Sequence, residues 1–222
     1  MLYGKSIGKK FHEDGTVRAF PGNTVVAPIR PGCSAYDVML RLRQMVLEAG
    51  LQEHLILLPE DSYHMTVMDC LVFENRDPDH WPAGLAPDAS AEEADDYIAA
   101  AVATAPNPGP VRMRFDRLWV GENAVVARLL PDSSQEEKKL WDFRDAATEA
   151  MGLRVPNYGR YRFHISLGYV WRIPEGTAAQ ALEALVERAN ALLAQQPAFL
   201  TGVPHMAFFR DMTAFFPERI QR

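Results

Sequence analysis

The chain has 222 residues, 48% of them hydrophobic and 23% charged, with a formal net charge of −6. That length holds one large domain or two small lobes with ample core, and the composition is that of a soluble globular protein. Net acidity argues against a surface built to coat DNA or RNA, while leaving room for a local basic groove around a small anionic substrate. Two cysteines, Cys33 and Cys70, form neither a disulfide framework nor a zinc pattern, so reduced thiols are expected. The N-terminal stretch lacks an apolar signal core and no segment approaches about eighteen consecutive apolar residues, which predicts a cytoplasmic protein with no membrane contact.

Residues 1–23 carry Lys5, Lys9, Lys10 and the turn pairs Asp14-Gly15 and Pro21-Gly22, predicting an extended arm or small hairpin. Lys9 and Lys10 read as a solvated pair within reach of an anion. Residues 24–29 are β-branched and predict a strand. A helix follows, with Ser34 as its expected N-cap and Gly50 as its stop. Residues 54–58 predict a second strand, ended by Pro59, and residues 63–73 a third. In strict alternation Ser62, His64, Thr66 and Met68 share one face of that strand, and Tyr63, Met65, Val67 and Asp69 the other. The Pro- and Asp-rich loop 74–90 contains Trp81, which has two readings: a cover that stacks on a base, or a wedge in the core. Ser90 with Glu92 and Glu93 opens an alanine-rich helix to about residue 103. The run Pro106-Asn107-Pro108-Gly109-Pro110 marks a lobe boundary, giving residues 1–105 and 106–222.

The second half repeats the plan. Strands at 111–120 and 124–130 form a hairpin about Gly121-Glu122-Asn123, and a helix runs from Ser134 to Met151 with Gly152 as its stop. A strand at 161–171 puts Arg160, Arg162, His164, Ser166 and Gly168 on one face. A helix over 176–194 and one long or two short strands over 203–216 complete the chain. The order of elements recurs at a spacing of about a hundred residues, which points to an internal duplication of architecture.

Each half holds one copy of the same device: Tyr63-His64-Met65-Thr66-Val67 and Phe163-His164-Ile165-Ser166-Leu167. Residues i and i+2 of a strand project from one face, roughly 7 Å apart at the backbone. Chance predicts ~0.4 such His-x-Ser/Thr spacings from this composition. Two occur, both in strand context, whereas His12, His54, His80 and His205 lack a hydroxyl residue at that spacing.

Two imidazoles and two hydroxyls brought across a groove suit in-line displacement at phosphorus. Imidazole titrates near neutrality, so one ring can accept a proton from the attacking oxygen while the other gives one to the leaving oxygen. The hydroxyls of Thr66 and Ser166 can donate to the non-bridging oxygens. Arg162, on the face of His164, has two readings of equal standing: a charge-assisted phosphate contact or a salt bridge at the rim. The face residues named beside His64 (Ser62, Met68) and beside His164 (Arg160, Arg162, Gly168) include no carboxylate or thiolate, which disfavours a metal centre. Nucleophile-elbow, Walker and dinucleotide glycine motifs are absent.

The paired His64-x-Thr66 and His164-x-Ser166 resemble the signature of the two-histidine (2H) phosphoesterase superfamily, which includes RNA 2′,3′-cyclic phosphodiesterases and the 2′-5′ RNA ligases. Lys10-Phe11, Asp14-Gly15, Phe20-Pro21-Gly22-Asn23-Thr24, Trp81-Pro82, Tyr161-Arg162-Phe163-His164 and Asp211-Met212 resemble more closely one bacterial and fungal branch of it. The resemblance implies an α+β, bilobal duplicated fold: two antiparallel sheets facing a central groove, helices outside, and termini free to cross between lobes. It also implies metal-independent, cofactor-free hydrolysis or transfer at a cyclic or 2′-5′-linked phosphate of a small nucleotide or RNA end. His64 and His164 take the catalytic positions and Thr66 and Ser166 hold the phosphate, with Arg162, Lys10, Trp81 and Tyr161 as candidate substrate contacts. Two alternatives stand beside it: a binding protein that keeps the groove without turnover, and a ligase-like RNA-processing enzyme.

Overall fold

The computed structural model describes residues 2–156 and 158–219. In chain order the elements are β1 (Gly22–Pro28), α1 (Ser34–Glu48), β2 (Leu55–Leu57), β3 (His64–Val72), α2 (Ala91–Thr104), β4 (Arg112–Val120) and β5 (Ala124–Pro131). They continue with α3 (Ser134–Met151), β6 (His164–Val170), α4 (Gly176–Leu193), β7 (Phe199–Leu200) and β8 (His205–Phe209). The α+β class and antiparallel pairing expected from the sequence are present. No helix among the described residues is long and apolar enough to cross a membrane.

Helix ends follow local chemistry. At α2 the Ser90 hydroxyl accepts from the Glu93 N–H while the Glu93 carboxylate accepts from the Ser90 N–H, a reciprocal cap for two orphan donors. At α3 the Ser133 hydroxyl caps the Glu136 N–H, and Gly152 ends the helix at φ 63°, a conformation that costs glycine no Cβ clash. At α1 the N-cap is Cys33 and not the expected Ser34. The left-handed turn at Gly32 holds Cys33 extended, so Ser34 is already the first helical residue.

Among the described residues eight strands join one antiparallel sheet in the order β7-β4-β5-β6-β3-β1-β8, with β2 paired to β6 beside β3. The two chain halves interleave within it. β8 lies against β1, and β2, which precedes β3 in the chain, lies against β6. The amino-terminal arm is tied to the second half, with the Gly4 N–H donating to the Trp171 carbonyl and the Ile173 N–H to that of Leu2. Gly168 is required where β2 crosses: a Cβ there would stand 2.4 Å from the Ile56 carbonyl oxygen.

The duplication is exact in register. Val26 faces Thr66 and Val25 faces Met68, while Val126 faces Ser166 and Val125 faces Gly168, every number offset by one hundred. Each key strand therefore carries a β-bulge, at Val67 and at Leu167, one residue beyond its motif. β3 and β6 meet at a single pair, Met65 and Ile165. Both side chains are completely buried in the main core between sheet and helices, where each burial stabilises by about 1.5–3 kcal/mol. A smaller apolar cluster of Phe11, Leu58, Tyr169, Phe209 and Met212 walls one end of the groove.

Candidate active site

The Met65–Ile165 pair is the seam on which the site is built. Extending its antiparallel register one residue each way sets His64 opposite Ser166 and Thr66 opposite His164. Because Met65 and Ile165 point into the core, these four neighbours point to the other face. All four are half-buried and line one cavity of about 170 Å³.

The rings are held in matching ways. His64 Nδ1 lies 2.7 Å from the Ser62 carbonyl oxygen and His164 Nδ1 lies 2.8 Å from that of Arg162. A carbonyl only accepts, so each Nδ1 carries the proton and donates. This leaves Nε2 of both rings without a protein partner among the described residues. Burial holds the His64 pKa down to about 4; the Ser62 carbonyl opposes this, and the charges of His164, Arg30 and His205 reinforce it. The Phe215 ring packs over His64, its centroid 4.2 Å away.

The bulges correct the expected strand faces. Beyond Val67 the alternation changes phase, so Met68 enters the core and Asp69 emerges into the groove. Beyond Leu167 Tyr169 does the same in the second half, and Gly168 leaves the motif face. The expectation of a motif face without carboxylate or thiol is overturned, since Asp69 and Cys70 both line the cavity. Burial, with the Asp69 charge beside it, pushes the Cys70 thiol far up, so it stays protonated. Among the described residues no three His, Cys, Asp or Glu side chains gather at metal-binding distance.

The first bulge is clamped from the second half. Arg144 is 2% exposed, and its guanidinium donates to the Val67 carbonyl at 2.5 Å. It sits 4.1 Å from the Tyr161 ring centroid, with Trp141, Tyr158 and Phe163 completing an aromatic surround. The Tyr161 hydroxyl donates to the Thr66 carbonyl at 3.1 Å.

The remaining expected substrate contacts divide. Lys10 reaches the cavity, its Nζ 3.4 Å from the Tyr169 hydroxyl and 5.1 Å from the Phe20 and Tyr169 ring centroids. Arg162 is exposed beside His164, with no carboxylate partner among the described residues, so the rim salt bridge is not formed. Tyr161 lines the adjoining space while its hydroxyl is spent on the Thr66 backbone. Trp81 lies elsewhere. It is buried, its Nε1–H donates to the Ala86 carbonyl at 3.1 Å, and the Arg76 guanidinium stacks 4.3 Å from its ring. Of its two readings, the core wedge is the one observed, because the loop folds back through Arg76 onto the carbonyls of Pro87 and Ala89.

A family model, 2H-phosphodiest, described as a domain of unknown function (DUF1868), matches residues 10–146. The chain belongs to this family. The matched span of the 2H-phosphodiest chain contains His64-x-Thr66 and ends before His164-x-Ser166, so the second motif rests on the geometry above. A conserved protein of unknown function, ATU0111 from Agrobacterium tumefaciens, shares the fold: TM-score 0.86 at 24% identity, covering 97% of this chain and 92% of that one. TT0787 of Thermus thermophilus matches at TM-score 0.45 and 14% identity, over 84% of this chain and 85% of that one. No curated protein matches the chain.

Several groove residues of this 2H-phosphodiest chain escape sequence reasoning. Asp69 and Tyr169 are hidden by the bulges, yet a signal exists for the first: strict alternation would bury the Asp69 carboxylate with no partner, an implausible outcome that marks a phase change. His205, set aside for want of a hydroxyl partner, pairs with Val26 in the row that carries Thr66. Arg128 pairs with His164 across β5 and β6, a neighbour that only the register reveals.

Proposed function

We propose that the protein is a metal-independent phosphodiesterase that hydrolyses a cyclic or 2′-5′-linked phosphate of a nucleotide or RNA end. The observation that carries this reading is the square of His64, Ser166, Thr66 and His164 around one seam, lining one cavity. Held neutral by burial, His64 is the base: its Nε2 takes a proton from water as the oxygen attacks phosphorus. His164, in its protonated form, delivers a proton through Nε2 to the departing ribose oxygen as the P–O bond breaks. The Thr66 and Ser166 hydroxyls donate to the non-bridging oxygens as their charge grows. Exchange with solvent then restores both rings.

The test is hydrolysis of 2′,3′-cyclic and 2′-5′-linked nucleotides by wild type, His64→Ala and His164→Ala, each with and without EDTA. Turnover that survives chelator and drops about 10²- to 10⁴-fold in either variant supports the reading. Complete loss in EDTA, restored by a divalent ion, sinks the metal-independent mechanism. Nucleotide binding without turnover in the wild type favours the binding-protein alternative.

A further inference from the structure

The duplicated halves do not dress the groove alike. On the first side Pro28 pairs with His64, and the cavity wall is apolar, with Leu58, Phe20, Phe209, Met212 and Phe215. On the second side the residue at the equivalent position, paired with His164, is Arg128. Its guanidinium lies 4.5 Å from the ring centroid of Trp119, an indole left 39% exposed. Arg160 and Arg162 stand on the same flank, both exposed. The space they line, about 480 Å³, opens beside His164 and Ser166 and is larger than the cavity at the seam.

Among the described residues none of these three cations is held by a carboxylate, a condition shared by Arg18, Arg30 and Arg76, whose guanidinium groups donate to backbone carbonyls instead. Arg41, Arg43, Arg112, Arg117, Arg154, Arg188 and Arg219 each have a carboxylate within 4 Å. Among the described residues Arg128, Arg160 and Arg162 have none, although the chain carries a net charge of −6. The nearby Asp116 is engaged by Arg117 at 3.1 Å, and among the described residues the one carboxylate lining this flank is Asp69, at the seam. Burial and the charges of Arg117 and Arg162 lower the Arg128 pKa, with Asp116 opposing, so neighbouring guanidinium charges act against one another here. Arg162 spends one nitrogen on the carbonyls of Arg160 and Tyr161; guanidinium groups with no carboxylate partner in a partly enclosed flank suit phosphate oxygens, and a half-exposed indole suits a base or sugar face.

We propose that this flank is a second anion subsite, and that the substrate carries a further phosphate one nucleoside away from the reacting one. The proposal rests on the reading of the seam as the reacting centre. The apolar side then takes the base, the seam takes the scissile phosphate, and Arg128, Arg160 and Arg162 take the second phosphate. This orients the substrate in one direction along a groove whose catalytic residues are themselves nearly symmetric. The second phosphate is either a terminal 5′-monoester or the internal diester of a longer strand.

The experiment measures kcat/KM of wild type, Arg128→Gln and the exposed variant Arg160→Gln on three substrates. These are adenosine 2′,3′-cyclic phosphate, its 5′-phosphorylated form, and a dinucleotide ending in the cyclic phosphate. Calorimetry runs beside it, comparing adenosine 3′-monophosphate with adenosine 3′,5′-bisphosphate. The wild type is expected to prefer a doubly phosphorylated substrate by about tenfold, mostly through KM, and both variants to cut that preference to about twofold. Preference for the 5′-monoester or for the dinucleotide tells the two sources apart. Equal kcat/KM for all three substrates overturns the proposal and leaves the phosphodiesterase reading intact. If nothing is turned over, the calorimetry decides: tighter bisphosphate binding that Arg128→Gln abolishes keeps the subsite without the reaction, and equal binding overturns both.

Discussion

At the scale of single residues, His64 sets two pH dependences. Its pKa of about 4 means the base is available well below neutrality, so the acid limb of the pH–rate profile is expected near pH 4 and not near 6.5. A kcat/KM profile on a cyclic nucleotide in constant ionic strength buffers checks this; an acid limb at 6.5 contradicts the assignment of His64 as base. The same displacement has a stability consequence of fixed sign. The unfolded chain takes up the proton near pH 6.5 while the folded chain resists until about 4, so stability is complete above 6.5 and falls as pH drops through that window. The displacement corresponds to roughly 3 kcal/mol, an upper bound for a half-buried ring. Urea unfolding at pH 7 and pH 4.5 should show a steeper loss for wild type than for His64→Gln.

Elements place these residues, and here legibility in the sequence varies. Helices α2 and α3 are readable because their starts carry hydroxyl and acidic caps and α3 stops at glycine, whereas α1 and α4 begin without a side-chain cap and rest on periodicity. The two His-x-hydroxyl strands were readable because a side-chain period of two survives over three residues. It fails at the fourth, where Val67 and Leu167 bulge, and apolar residues on both sides of the bulge conceal the change of phase. Nor could a linear reading find Arg144, whose guanidinium crosses from α3 to the backbone of the first bulge. Arg144→Ala leaves the Val67 carbonyl without its partner and opens a cavity within the aromatic surround, an expected cost of about 3 kcal/mol. It should also lower kcat more than it raises KM, because Thr66 and Asp69 lose their fixed placement while the cationic flank is untouched. Thermal unfolding and steady-state kinetics on Arg144→Ala and Arg144→Lys check both parts. Normal kcat in a folded Arg144→Ala would show that the bulge holds its shape unaided.

Over the whole molecule the interleaving of strands matters more than the boundary suggested by the proline-rich run at 106–110. β1 is flanked by β3 from its own half and by β8 from the far end of the chain, while β2 serves β6. A fragment of residues 1–105 would leave an edge of β1 bare and β2 unpaired. It is expected to stay unfolded alone, and the intact chain to unfold in one transition, with far-ultraviolet circular dichroism and tryptophan fluorescence coincident in urea. Two separated transitions would contradict this.

The single rung between Met65 and Ile165 makes the join of β3 and β6 a fulcrum. A change of angle at that pair would alter the span between the imidazoles, since His64 and His164 flank it on the two strands. Substituting Met65 or Ile165, both fully buried, with a smaller or bulkier residue is therefore expected to change the spacing of His64 and His164 without touching either ring.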